Sequence, residues 1–167
     1  MHQPRTIMKY FSIEELTRSA TARRLGLDNT PTDEHRANLE MTVSRLADPL
    51  REAWAVRCAH EGWGTPALRV TSGYRGFRLN RAVGGSSASA HCAGWALDLV
   101  PQNGRLGAFK SFCREWLAGR AFDQLISEDE DAAGTPRWIH IGYKNSQGQQ
   151  RRQELSMRGG QYKPMTR

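Results

Sequence analysis

The sequence predicts an α+β fold, with a largely antiparallel sheet and the N-terminal helices packed on one of its faces. Three features carry this expectation. Residues 1–60 place apolar side chains at helical spacing. From about residue 65 the chain changes to short alternating stretches broken by Gly-containing turns, and one longer helical pattern lies among them. At 167 residues the chain reads as one domain with a helical part at 1–60, a site-bearing core at 65–157 and a loose tail at 158–167.

Ser12 and Glu15 make an S-x-x-E capping box, opening a first helix expected to run to about Arg23, where LGLDNTP breaks it. Thr32 then caps a long helix over Asp33–Cys58. Its Leu39, Val43, Leu46, Leu50, Trp54 and Cys58 recur at three- and four-residue intervals, and HEGWGTP ends it. ALRVTSGY reads as a strand with Gly73 as its turn, RGFRLNRAV as a short helix, and GGSSAS as a flexible link. GWALDLV is a second strand. RLGAFKSFCREWLAG has helical periodicity through Leu106, Phe109, Phe112, Cys113, Trp116 and Leu117. FDQLISE and RWIHIGY are further strands, and the connection of about ten residues between them permits a hairpin. RQELSM adds a short strand, and the tail from Arg158 is expected to be loose.

The net charge of +7 fits either an ordinary basic surface or steering toward a polyanion such as nucleic acid, an anionic membrane or a cell wall. The basic residues are dispersed, in ARR at 22–24, RGFRLNR at 75–81 and QQRRQ at 149–153. With neither an Arg/Lys-studded recognition helix nor an aromatic stacking ladder, nucleic acid is not an expected partner. A mean hydropathy of −0.66 and no apolar run near about 18 residues give no expectation of membrane insertion. The opening MHQPRTIMKYFSIEEL lacks the apolar stretch of a secretory signal. Cys58, Cys92 and Cys113 form no C-x-x-C pair and suggest reduced, structural thiols. Cys92 adjoins His91, but neighbours on an extended chain point apart.

Two polar residues interrupt the apolar strands. In GWALDLV, Ala96, Asp98 and Val100 share one face and Trp95, Leu97 and Leu99 the other. In RWIHIGY, Trp138, His140 and Gly142 share one face, opposite Ile139 and Ile141. Burying Leu97, Leu99, Ile139 and Ile141 in the core projects Asp98 and His140 from the other face. A carboxylate there costs several kcal/mol unless paired or bound to a metal. His91 lies in the loop entering the first of these strands, within reach of Asp98. Two imidazoles and one carboxylate form a three-ligand set for zinc with the fourth position open. On spacing alone, a hydrogen-bonded structural His140 and a turn-capping Asp98 explain the same residues equally well.

SAHCAGWALD fits S-x-H-x-x-G-x-A-x-D through Ser89, His91, Gly94, Ala96 and Asp98. This resembles the signature of the zinc D-Ala-D-Ala carboxypeptidases, D-Ala-D-Ala dipeptidases and L-Ala-D-Glu endolysin peptidases, which share the hedgehog/DD-peptidase fold. VTSGYRGFRLNRAVGGSSAS is similar to the family's S-G-Y-R segment and Gly/Ser-rich run. WIHIGY resembles its W-[VI]-H strand, and FDQLISE the preceding strand of its phage-associated branch. The resemblance covers about residues 65–155. It implies that His91, Asp98 and His140 hold one zinc ion, that Arg75 polarises or grips the substrate, and that Ser89 contacts it. Trp138 is a candidate wall of the substrate cleft.

Peptide hydrolysis also needs a base. Many members of that family carry a glutamate three residues before the last histidine, where this chain has Arg137. Glu128, ending FDQLISE, is the favoured replacement, with Asp129, Glu130 and Asp131 as the other acids nearby. The function expected from the resemblance is a zinc metallopeptidase, monomeric, cutting stem peptides of bacterial peptidoglycan. The D,D-carboxypeptidase and L-Ala-D-Glu endopeptidase types are not separated. The missing signal and basic charge fit a phage or prophage lysis enzyme made in the host cytoplasm and acting at the cell wall after release. Arg137 leaves a non-catalytic zinc-bearing wall-binding module as the alternative.

Overall fold

The computed structural model describes residues 7–166. His2, expected in a frayed terminus, lies outside them. Two short helices, α1 (Ile13–Thr17) and α2 (Ala20–Leu25), replace the single helix expected from Ser12 to about Arg23. The reason is a second capping serine. Ser12 accepts the Glu15 N–H, Arg18 turns extended, and Ser19 restarts the helix by accepting the Ala22 N–H.

The long helix is continuous but not uniform. Its parts are α3 (Asp33–Thr42), a π-helical turn over Val43–Ala47, and α4 (Asp48–Glu61). Thr32 caps it as expected, accepting the His35 N–H. Pro49 accounts for the wide turn, since it has no N–H to give the Arg45 carbonyl and its ring would press on that carbonyl in an α-helix. The Asp48 N–H reaches back to Val43 instead. The Asp48 carboxylate accepts the backbone N–H groups of Lys9 and Tyr10 at 2.8 and 3.1 Å, tying the leading segment to this turn.

The remaining elements are β1 (Leu68–Ser72), α5 (Phe77–Ala82), a 3-10 turn (Ala90–Ala93), β2 (Ala96–Pro101), α6 (Leu106–Leu117), β3 (Gln124–Glu128), β4 (Trp138–Gly142), β5 (Gln153–Arg158) and β6 (Gln161–Pro164). The six strands form one sheet in the order β1-β2-β4-β3-β5-β6. Every neighbouring pair is antiparallel except β3 and β5. The architecture is thus α+β, and β3–β4 is the expected hairpin.

One sheet face carries the core. Leu97, Leu99, Leu125, Ile139 and Ile141 are fully buried and belong to one cluster with Leu39, Leu46, Leu50, Trp54, Phe109 and Cys113. The Trp54 indole meets Phe109 edge-on at 5.0 Å between ring centroids, so α4 and α6 close over the sheet together. The tail expected to be loose from Arg158 is instead structured. Gly159 and Gly160 both take positive φ, the turn returns the chain as β6 against β5, and Met165 is buried in the core.

Gly94 joins the helical part to the sheet. It ends the 3-10 turn at φ 80°, and a Cβ built on it would lie 2.5 Å from the His35 carbonyl oxygen of α3. Gly94→Ala combines a left-handed backbone penalty with overpacking against a helix backbone, about 3 kcal/mol together. Urea denaturation should show a loss of that size.

Candidate active site

The sheet face opposite the core forms the floor of an open cavity of about 530 Å³. Strand register delivers its polar groups. Asp98 pairs with His140 between β2 and β4, and His140 with Ile126 between β4 and β3, placing all three in one row. His91 arrives from the 3-10 turn before β2, which Ser89 caps by accepting the His91 N–H.

His91, Asp98 and His140 come together as a buried trio whose ligating atoms all lie within 4.8 Å of one another. Oδ1 of Asp98 is 3.3 Å from Nε2 of His91 and 3.1 Å from Nδ1 of His140. Nδ1 of His91 lies 2.8 Å from the Gly73 carbonyl, which can only accept, so Nδ1 carries the proton. Nε2 of neutral His91 therefore turns its lone pair on a carboxylate oxygen. A cation among the three groups removes that mismatch, and nitrogen and oxygen donors in this combination suit zinc. The Gly73 carbonyl is then the outer partner that orients the His91 ring. Burial alone would raise the Asp98 pKa, but the electrostatic attraction and hydrogen bonding of the His91 and His140 rings bring it well below the usual carboxylate range.

Glu128 lines the same cavity, opposite Trp138 in the β3–β4 register. Burial pushes its pKa up to about 6, partly opposed by His140 and reinforced by Asp98 and Asp129. The other acids are engaged elsewhere. Glu130 is buried and bonded to Lys110 and Arg158 at 2.8 and 3.0 Å. Asp131 caps its own turn through the Ala133 and Thr135 N–H groups, and Asp129 pairs with Arg137 at the surface.

Arg75, Ser89 and Trp138 also line the cavity. Arg75 anchors its N–H to the His91 carbonyl at 3.1 Å and donates from Nη2 to Oγ of Ser89 at 3.3 Å. Its Nε is buried without a partner among the described residues. Cys92 follows His91, but burial raises its thiol above the ordinary value, so it is no activated nucleophile. Sequence reasoning missed the far wall, where Leu155, Met157 and Tyr162 line the cavity from β5 and β6, and Arg151 and Asn145 line it from the preceding segment. Only the alternation in RQELSM hinted at these. The Tyr162 phenol is raised by partial burial and by the charges of Glu128 and Asp98.

A buried imidazole–imidazole–carboxylate trio that could hold a metal ion, open to a cleft that also holds the Glu128 carboxylate, is the arrangement a metal-dependent hydrolase needs. Residues 9–141 match the family Peptidase M15, and the chain belongs to that family of zinc metallopeptidases. No curated protein matches the chain. Among the described residues, no helix is long and apolar enough to cross a membrane.

The two buried glutamates titrate in opposite directions, so their variants should separate. The folded-state pKa of Glu130 is depressed to about 2, since Lys110, Ser156, Ser127 and Arg158 together outweigh its burial. Its stabilisation is therefore present above its unfolded value near pH 4.5 and lost as pH falls toward 2. Glu130→Gln should cost about 3 kcal/mol at pH 7 and much less at pH 3. For Glu128 the folded pKa is raised, so its ionisation weakens the fold as pH rises through about 6. Glu128→Gln should be neutral or stabilising at pH 7, by up to about 2 kcal/mol. Urea denaturation at the two pH values tests both.

Proposed function

We propose that this chain is a zinc peptidase of the hedgehog/DD-peptidase type that hydrolyses peptide bonds in the stem peptides of bacterial peptidoglycan. The observation that carries the reading is the convergence, in one cavity, of the His91–Asp98–His140 trio with Glu128. His91, Asp98 and His140 are the ligands. A zinc ion held there would acidify water toward a pKa of about 7 and act as a Lewis acid toward the carbonyl.

The chain's own residues supply the rest. Glu128, held in a partly desolvated position, takes the proton of the attacking water and returns it to the leaving amine. Arg75, fixed by the His91 carbonyl and Ser89, presents its guanidinium to the oxygen on which negative charge develops, or to a substrate carboxylate. Trp138 walls the cleft beside Glu128, and Ser89 holds Arg75 while facing substrate. The monomer would act at the cell wall as a phage or prophage lysis enzyme, and its +7 charge favours approach to an anionic wall.

Purified protein should hold one zinc ion and release fragments from sacculi. His140→Ala should lose both the metal and at least about 10³-fold of the activity, and Glu128→Gln a similar activity with the metal retained. Mass spectrometry of the digest distinguishes free D-Ala, from a carboxypeptidase, from cuts near the stem base. Arg137 at the position where glutamate is usual motivates the other reading, a wall-binding module. Zinc and sacculus binding without released fragments would establish it.

Glu128 must be ionised to accept a proton, so activity should fall as pH drops. The break in kcat/KM should lie at or below about 6, because a cation at the neighbouring trio favours the carboxylate. A pH–rate profile from 4 to 8 reads this limb, and an activity that stays flat through that range removes Glu128 as the base.

A further inference from the structure

The cavity has a second built feature, away from the histidines. Arg151, just before β5, lines it together with His91, Asp98 and His140. Its Nε and Nη2 donate to the two oxygens of Asp123 at 2.8 and 2.9 Å, and its backbone N–H donates to the same carboxylate at 3.1 Å. The Asp123 side chain is 1% exposed and that of Arg151 42%. The carboxylate thus sits behind the guanidinium and fixes it, while Nη1 has no partner among the described residues. A guanidinium has five N–H donors, and the side-chain contacts to Asp123 use two. A fork held this way loses little freedom on meeting a second carboxylate.

Register places this fork relative to the trio. The trio is level with Ile126 on β3, Glu128 lies two residues onward, and Asp123 three residues back. At about 3.3 Å per residue along the strands and about 4.8 Å between them, with His140 one strand and Asp98 two strands beyond β3, Asp123 anchors Arg151 roughly 11–14 Å from the trio, on the side away from Glu128. That span equals about three to four residues of extended peptide. Ile126 and Leu155, partners between β3 and β5, floor the gap with apolar surface, and Gln124 borders it.

We propose that Arg151, backed by Asp123, is a carboxylate subsite of the cleft. It takes an anionic group that the peptide carries about three to four residues from the scissile bond, and it selects acidic peptides over their amidated forms. The inference rests on the peptidase reading above and names what that site prefers.

The test uses the full zinc-loaded chain and a series of stem-type peptides in which each free carboxylate in turn is amidated. Hydrolysis is followed for wild type, and binding by calorimetry in the non-hydrolysing Glu128→Gln background. Amidation at one position remote from the scissile bond should raise KM at least about tenfold, the effect of losing a charge-assisted bidentate contact. Arg151→Gln should bring the ratio between free and amidated peptide near one, and Arg151→Lys, which keeps a cation without the fork, should leave an intermediate ratio. Thermal melting identifies a variant that has lost its fold, in which case Arg151→Lys alone decides. A wild-type preference that survives Arg151 substitution, equal losses of kcat on both peptides, or no remote position that matters would each overturn the subsite. Selective binding without hydrolysis by wild type would instead overturn the peptidase reading and leave the subsite standing.

Discussion

The structure depends on keeping one carboxylate, that of Asp98, in the middle of an otherwise apolar strand. Its neighbours Leu97 and Leu99 are fully buried on the core side, so β2 cannot shift to bring Asp98 to water without exposing them. The charge must be met where it stands. Two imidazoles meet it, one from β4 through the Asp98–His140 pair and one from the turn entering β2. Two neutral imidazoles and a carboxylate carry a net negative charge, which a cation held among them would balance. The rest of the motif follows from that need. Ser89 caps the turn that presents His91, and Gly94 lets the turn pass against α3.

The sheet separates two environments that share its central strands. On β2, β3 and β4 the odd-numbered Leu97, Leu99, Leu125, Ile139 and Ile141 face the helices, and the even-numbered Asp98, Gln124, Ile126, Glu128, Trp138 and His140 face the cleft. The helical layer therefore positions chemistry that it never touches. Trp54, packed on Phe109 and Phe112, holds α4 and α6 over the strands that carry Asp98 and His140. The π-turn over Val43–Ala47 keeps the long helix continuous across Pro49, so that α3 reaches Gly94 while α4 reaches α6.

What could be read from the chain divides along the range of the interactions. Period-two alternation announced the two-faced strands, and three- and four-residue spacing announced the helices, because each residue's environment there is set by near neighbours. Arg18 and Pro49 were harder, since a capping serine and a missing N–H change helix geometry without changing hydrophobic spacing. β6 was invisible for another reason. QYKP is exposed along its length and shows no buried face, and its pairing comes from the Gly159–Gly160 turn and the burial of Met165 beyond it. The Arg151–Asp123 pair joins residues of no shared pattern, brought together only by the parallel pairing of β3 with β5.

Choosing among the four acids at 128–131 required backbone geometry rather than composition. Asp129 takes φ 49°, a left-handed conformation that aspartate tolerates, and it breaks the alternation that would place Glu130 on the same face as Glu128. Glu128 stays on the cleft side, while Glu130 reaches Lys110 of α6, a helix that packs on the core face, and Arg158 at the end of β5. Their environments then act oppositely. Two cations fix Glu130 as a carboxylate and leave it no capacity as a base at neutral pH, whereas Glu128 has no ion-pair partner among the described residues and burial pushes its pKa up to about 6. A base must exchange protons near the working pH, and a structural anion must not. The register that sets Glu128 across from Trp138 also puts a carboxylate beside the final histidine from the neighbouring strand. Arg137, whose N–H donates to the Glu128 carbonyl, therefore need not be acidic for the cleft to contain one.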